Sequence, residues 1–173
     1  LYEPERAAYG SILVPVFGGR LDDDIVQTAG RLAGSRRDDL EEEGAVIEAI
    51  WFHEMPMALP LDSPLAPDQA ATARECLIRA KAVGEEYQGV VVETAQVRVR
   101  KVGEGIVREA KRRGVEAIVL SAEGGTRSRV AGMISVGSPG VGDVTRYVLR
   151  KAHCPVVLTI PGGAEQDPTP GRG

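Results

Sequence analysis

A doubly wound α/β domain, one parallel sheet with helices on both faces, is what this sequence predicts. Five short apolar runs alternate with four segments of helical periodicity, in the order β-α-β-α-β-α-β-α-β. The chain is 43% hydrophobic but only 4% aromatic, so its apolar mass is Val, Ile, Leu and Ala, the residues of strands covered on both sides. Its 173 residues suffice for one ordinary core and one domain. Nucleic acid is excluded as a partner by a net charge of -4, which supplies no basic face.

Ser11 to Phe17, bounded by Gly10 and Gly18-Gly19, is a continuous apolar run and opens the domain as a buried strand. Asp22, Asp23 and Asp24 bring N-cap and first-turn negative charge to a helix reaching about Ser35, with Ile25, Ala29, Leu32 and Ala33 as its stripe. Asp38 to Glu43 is a solvated acidic connection without metal-ligand spacing. Ala45 to Phe52 is the second strand. From His53 to Pro67 four prolines, Pro56, Pro60, Pro64 and Pro67, block regular pairing and make a long irregular loop.

Pro67 and Asp68 start a helix to about Gln88, and Val90 to Val99 is the third strand. Gly103 to Arg113 is a helix stopped by Gly114, with Val102, Ile106, Val107 and Ala110 inward. Glu116 to Ser121 is the fourth strand, Asp143 to Ala152 the fourth helix and Pro155 to Ile160 the fifth strand. The domain spans residues 9–161, after a linker at 1–8 and before a Gly/Pro-rich, disordered tail at 162–173. Ile12, Val14, Val16, Ile47, Ala49, Val119 and Val157 are expected in the core.

Chemistry concentrates between Val119 and Leu158, where a glycine-rich loop runs into a helix N-terminus beyond the carboxyl end of a strand. Such a place is the default phosphate site of a parallel α/β sheet. Other chemistries lack their parts. Only His53 and His153 are available for a metal, and each is read as a surface or strand-end residue. There is no Gly-x-Ser-x-Gly elbow and no Gly-Lys-(Ser/Thr), and Cys154 before Pro155 reads as a small buried hydrophobe. No catalytic constellation emerges, so the expectation is a protein that is not an enzyme. With two cysteines, Cys76 and Cys154, no spanning segment and no signal pattern, the expected location is cytoplasmic.

Ser11-Ile-Leu-Val-Pro-Val16, together with Tyr147-Val-Leu-Arg-Lys-Ala-His-Cys-Pro-Val-Val-Leu158, resembles the universal stress protein family over residues 9–161. The resemblance implies a three-layer, five-stranded sheet of order 3-2-1-4-5 and a cleft for ATP or another adenine nucleotide. Where nucleotide-binding members carry an Asp at the tip of the first strand, after Val16, this chain has Phe17. In the family's loop, Gly-x2-Gly-x9-Gly-(Ser/Thr), Ser121 replaces the first glycine, Gly124 matches the second, and Gly142-Asp143 stand at the closing pair. Residues 125–141 number seventeen where nine are expected, so an insertion of about eight lies within Gly125 to Val141.

A carboxylate at Asp143 opposes phosphate at the helix N-terminus, while Arg127 and Arg129 offer guanidinium partners. Val16, Phe17, Gly124, Gly125, Arg127, Arg129, Gly142 and Asp143 therefore outline a degenerate nucleotide site, at which ATP is expected to bind weakly or not at all.

Two functions follow from this resemblance. Tyr2-Glu-Pro-Glu5 and Gly140-Val-Gly-Asp-Val-Thr-Arg-Tyr-Val-Leu149 look like the universal-stress-type cytosolic domain of bacterial amino-acid permeases. The start without Met is read as an excised piece tethered to such a transporter, where the domain would regulate without turnover. The alternative is a free-standing stress protein that binds an adenine nucleotide. A homodimer through the apolar edge Val156–Ile160 is expected in either case.

Overall fold

Residues 9–34, 44–122 and 142–160 are described by the structure, a computed structural model. The elements are β1 (Ser11–Val16), α1 (Asp22–Gly34), β2 (Ala45–Glu54), α2 (Pro67–Gly84), β3 (Val90–Val99), α3 (Val102–Arg113), β4 (Ala117–Ser121), α4 (Asp143–Lys151) and β5 (Val156–Thr159). The strands form one parallel sheet in the order β3-β2-β1-β4-β5, as expected from the resemblance. The 1–8 linker, the acidic connection from Asp38 to Glu43 and the 162–173 tail lie outside the described residues.

Alternation along the strands divides the apolar interior in two, because successive side chains leave a strand on opposite faces. Ile12, Val14 and Val16 of β1 pack with Ile47, Ala49 and Val119 against Ile25, Val26 and Ala29 of α1 and Leu77 and Ala80 of α2. Leu13 faces the other way and joins Ile50, Ile118 and Leu120 against Ile106 and Ala110 of α3 and Val148 of α4. Six of the seven expected core residues are fully buried. Val157 is half-buried, because β5 has β4 on one side and no further strand among the described residues on the other.

Helix boundaries follow local chemistry. Gly114 ends α3 in the left-handed region at φ 66°, its N–H donating to the carbonyls of Ala110 and Lys111, the stop its position predicted. α2 ends at Gly84, four residues short of Gln88. Tyr87 and Val90 turn back there through N–H bonds to the carbonyls of Gly84 and Tyr87. The Tyr87 ring then lies over Gly30 of α1, where an added Cβ would fall 2.3 Å from a ring carbon. β2 exceeds its expected length by two residues, because Phe52, His53 and Glu54 continue the pairing with Val97, Arg98 and Val99.

That extension makes His53 a strand-end residue, one of the two readings open for it, but not a surface one. It is 7% exposed inside the sheet, with Nε2 2.9 Å from Gln96 Oε1. The proline-rich segment after β2 is fastened rather than loose. Met55 N–H bonds to Val99 O, and the Arg100 guanidinium donates to the carbonyls of Met55, Pro56 and Leu59.

Candidate functional site

β1 delivers Val16 into the first core and Phe17 toward the second, where its ring is half-buried against that cluster. Gly18 turns the chain at φ 74°, a conformation that favours glycine. The turn brings Asp22, first residue of α1, back beneath the strand tip. Its carboxylate accepts the Phe17 N–H at 3.2 Å and the Gly18 N–H at 2.7 Å. Amides at the carboxyl end of a parallel strand are the groups that hold anionic ligands in such sheets. At the tip of β1 the chain's own carboxylate already occupies them.

Burial pushes the Asp22 carboxyl above its ordinary range, opposed by the amides of Phe17, Gly18 and Gly19 and reinforced by neighbouring Asp23. Asp22 is thus a partly desolvated acid held in place by backbone donors. The sequence marked it only as helix-starting charge. Its link to Phe17 depends on the Gly18 turn, which sequence periodicity does not reveal.

β4 ends beside β1, and α4 is moored to that end. Gly142 N–H bonds to Ala122 O at 3.1 Å, and the buried Thr145 hydroxyl donates to Ser121 O at 3.0 Å. Thr145 was not singled out from the sequence, although a hydroxyl between Val144 and Val148 on the buried face of a short helix was the available signal. Gly142 is the N-cap, with no side-chain cap. Asp143 occupies the first helical position. Its side chain is 93% exposed and pairs with Arg146 at 3.0 Å, because the residue that can cap lies one position earlier.

The structure therefore brings Val16, Phe17, Gly142 and Asp143 to one edge of the sheet. Gly124, Gly125, Arg127 and Arg129 lie outside the described residues. Among those described, no group of three or more His, Cys, Asp or Glu is arranged to hold a metal, and no helix is long and apolar enough to cross a membrane. Cys76 and Cys154 are free and half-buried, and burial raises both thiols above their ordinary value. Such thiols are poor nucleophiles at neutral pH.

An all-parallel 3-2-1-4-5 sheet with helices on both faces defines a doubly wound α/β protein. Residues 8–159 match the universal stress protein family, and the chain belongs to it. No curated protein sequence matches the chain. Among solved structures, a universal stress protein from Archaeoglobus fulgidus is 20% identical with a TM-score of 0.64, covering 87% of this chain and 98% of its own. The universal stress protein UspA from Lactobacillus plantarum is also 20% identical, with a TM-score of 0.63 over 88% and 98%. The Archaeoglobus fulgidus protein in complex with dAMP aligns at 20% identity and a TM-score of 0.60 over 87% and 97%. At these identities the likeness establishes the fold.

Proposed function

We propose that this domain is a non-catalytic regulatory module whose nucleotide cleft is altered, so that ATP and related adenine nucleotides bind weakly or not at all. The observation that carries this reading is the Asp22 carboxylate on the Phe17 and Gly18 amides. A ligand phosphate or hydroxyl must displace a half-buried acceptor there, and must do so beside an aromatic ring packed against the second core. Asp143 adds less than its sequence position suggested, because it is solvated and paired with Arg146. The dAMP bound by the Archaeoglobus fulgidus relative names the ligand class to test.

Such a module acts through contact, and the cytosolic face of an amino-acid permease is the proposed partner, on the strength of the motifs around Tyr2 and Gly140. Pairing of two copies through Val156–Ile160 is the proposed assembly, supported by an edge strand that is half-buried throughout and followed by Ile160 at 76% exposure. The proposed setting is cytoplasmic. A free-standing nucleotide-binding stress protein is the competing reading, and it draws on the same dAMP complex.

Calorimetry with Mg-ATP and with dAMP separates the two. The unaltered domain is expected to show binding no tighter than about 0.1 mM. Micromolar affinity would establish the competing reading. The double change Phe17→Asp with Asp143→Ser is expected to raise affinity roughly tenfold or more, since each restored polar contact is worth about 1 kcal/mol.

A further inference from the structure

The net charge of -4 predicts no basic face, but charge is unevenly spread over the fold, and the outer surface of α3 and α4 is basic. The two helices lie side by side over the second core, so close that a Cβ added to Gly103 would fall 3.1 Å from Tyr147 Cβ. Each crosses from one parallel strand to the next, so both run in the same direction, and equal rise per residue sets Val107 level with Lys151. At about 3.6 residues per turn, Arg108 and Lys111 fall on the back of α3, opposite buried Ile106 and Ala110. Arg146 and Arg150 fall on the back of α4, opposite buried Val144 and Val148.

Every carboxylate on these two helices already has a cation. Glu104 pairs with Lys101 at 3.6 Å, Glu109 with Arg112 at 2.6 Å and Arg113 at 3.3 Å, and Asp143 with Arg146 at 3.0 Å. Arg108, Lys111, Arg150 and Lys151 remain, all exposed and without an ion-pair partner among the described residues. The helix dipoles account for cations in the last turns, where Lys111, Arg150 and Lys151 stand, but not for Arg108 in the middle of α3.

We infer that this face docks on an anionic lipid surface, the headgroup layer around the permease, an inference that rests on the attachment proposed above. Charge decides between the surfaces on offer. The cytosolic loops of membrane proteins carry an excess of Lys and Arg, so a basic face is repelled by the transporter itself and drawn to the anionic headgroups beside it. Nucleic acid would also want rings to stack on, and no Phe, Tyr or Trp among the described residues is exposed, Tyr147 being turned in against Gly103. A headgroup layer asks only for clustered positive charge, which is what α3 and α4 offer. The strand-tip cover, α1 and α2, lies on the other side of the sheet, over the first core.

Cosedimentation with vesicles tests it. Phosphatidylcholine vesicles containing about one-third phosphatidylglycerol should bind the chain with half-saturation at roughly millimolar lipid, and phosphatidylcholine alone should not bind it. Each cation at such a surface contributes roughly fivefold, so Arg108→Gln or Arg150→Gln should weaken partitioning about fivefold and Arg108→Gln with Lys111→Gln about twenty-fivefold. Salt of about 0.5 M should release the chain. Arg74→Gln removes an exposed cation from α2, across the sheet, and should change nothing. All these positions are exposed, so the variants are expected to fold, which circular dichroism checks. Equal binding to uncharged vesicles, an unchanged double variant, a loss in Arg74→Gln as large as in Arg108→Gln, or tighter capture by duplex RNA or polyglutamate at equal charge would each overturn the inference. Micromolar ATP affinity at β1, or a reading frame without membrane spans, would overturn the proposed function and leave the vesicle results as they are.

Discussion

Asp22 is the residue on which the character of the strand tip turns, because it is both a hydrogen-bond acceptor and a desolvated acid. Asp22→Ala removes the acceptor from the Phe17 and Gly18 amides and should cost about 1–2 kcal/mol in urea unfolding at pH 7. Asp22→Asn keeps an acceptor oxygen and removes the ionisation. Since the folded carboxyl titrates above its ordinary 3.8, its ionisation opposes folding. The favourable contribution of the protonated form is complete below 3.8 and is lost as pH rises through the raised value. Wild type should therefore lose stability relative to Asp22→Asn as pH rises above 3.8. Parallel unfolding curves across that range would contradict the assignment.

At the scale of elements, α3 is joined to β2 through charge as well as through Ile106 and Ala110. Arg113 Nη1 donates to Glu48 Oε2 at 2.6 Å and its Nε to Glu109 Oε2 at 3.3 Å, while Arg112 reaches Glu109 at 2.6 Å. Burial raises the Glu109 carboxyl, but the hydrogen bonds of Arg112 and Arg113 outweigh it and hold the group below its ordinary value. Arg113→Ala strands Glu48 in the sheet and half-frees a buried Glu109, and should cost about 2–4 kcal/mol. Arg113→Lys should recover only part, because a point charge cannot address both carboxylates. The contribution of Glu109 is present above its ordinary 4.5 and is lost as pH falls, so the gap between wild type and Glu109→Gln should close in acid.

These elements were legible in the sequence where their causes are local. The αL stop at Gly114, the apolar stripe of α1 and the alternation of β3 are written in neighbouring residues. The end of β2 and the burial of His53 depend on a partner strand more than forty positions away, with Arg98 opposite His53, and periodicity carries no trace of that pairing. The altered strand tip was half legible. Phe17 could be read as a missing acceptor, but the substitute provided by Asp22 required the Gly18 turn.

For the whole molecule, the unequal flanks of the sheet set how copies meet. β3 carries ten residues with charged Glu93 and Arg98 exposed along it, features that discourage edge-to-edge pairing. β5 is four residues long, Val-Val-Leu-Thr, with no charge to repel a second copy. Light scattering at about 20 micromolar is expected to give a dimer, a concentration that populates complexes of ordinary affinity. Val157→Lys should shift it to monomer, whereas a monomeric wild type would count against the pairing.

Because β1 sends alternate residues into both apolar layers, neither layer can open without leaving the other's half of that strand in place. Amide hydrogen exchange should express this as a hierarchy. The protons of Ile12, Leu13 and Val14 should be released only with the whole fold, at a rate set by global stability, while those of Val156–Thr159 escape through a smaller, earlier opening. Denaturant added below the unfolding transition should accelerate the β5 protons less steeply than those of β1, since less surface is uncovered in releasing them. The middle strand is then the hinge-pin of cooperativity, and its exchange rate measures the stability of the entire domain.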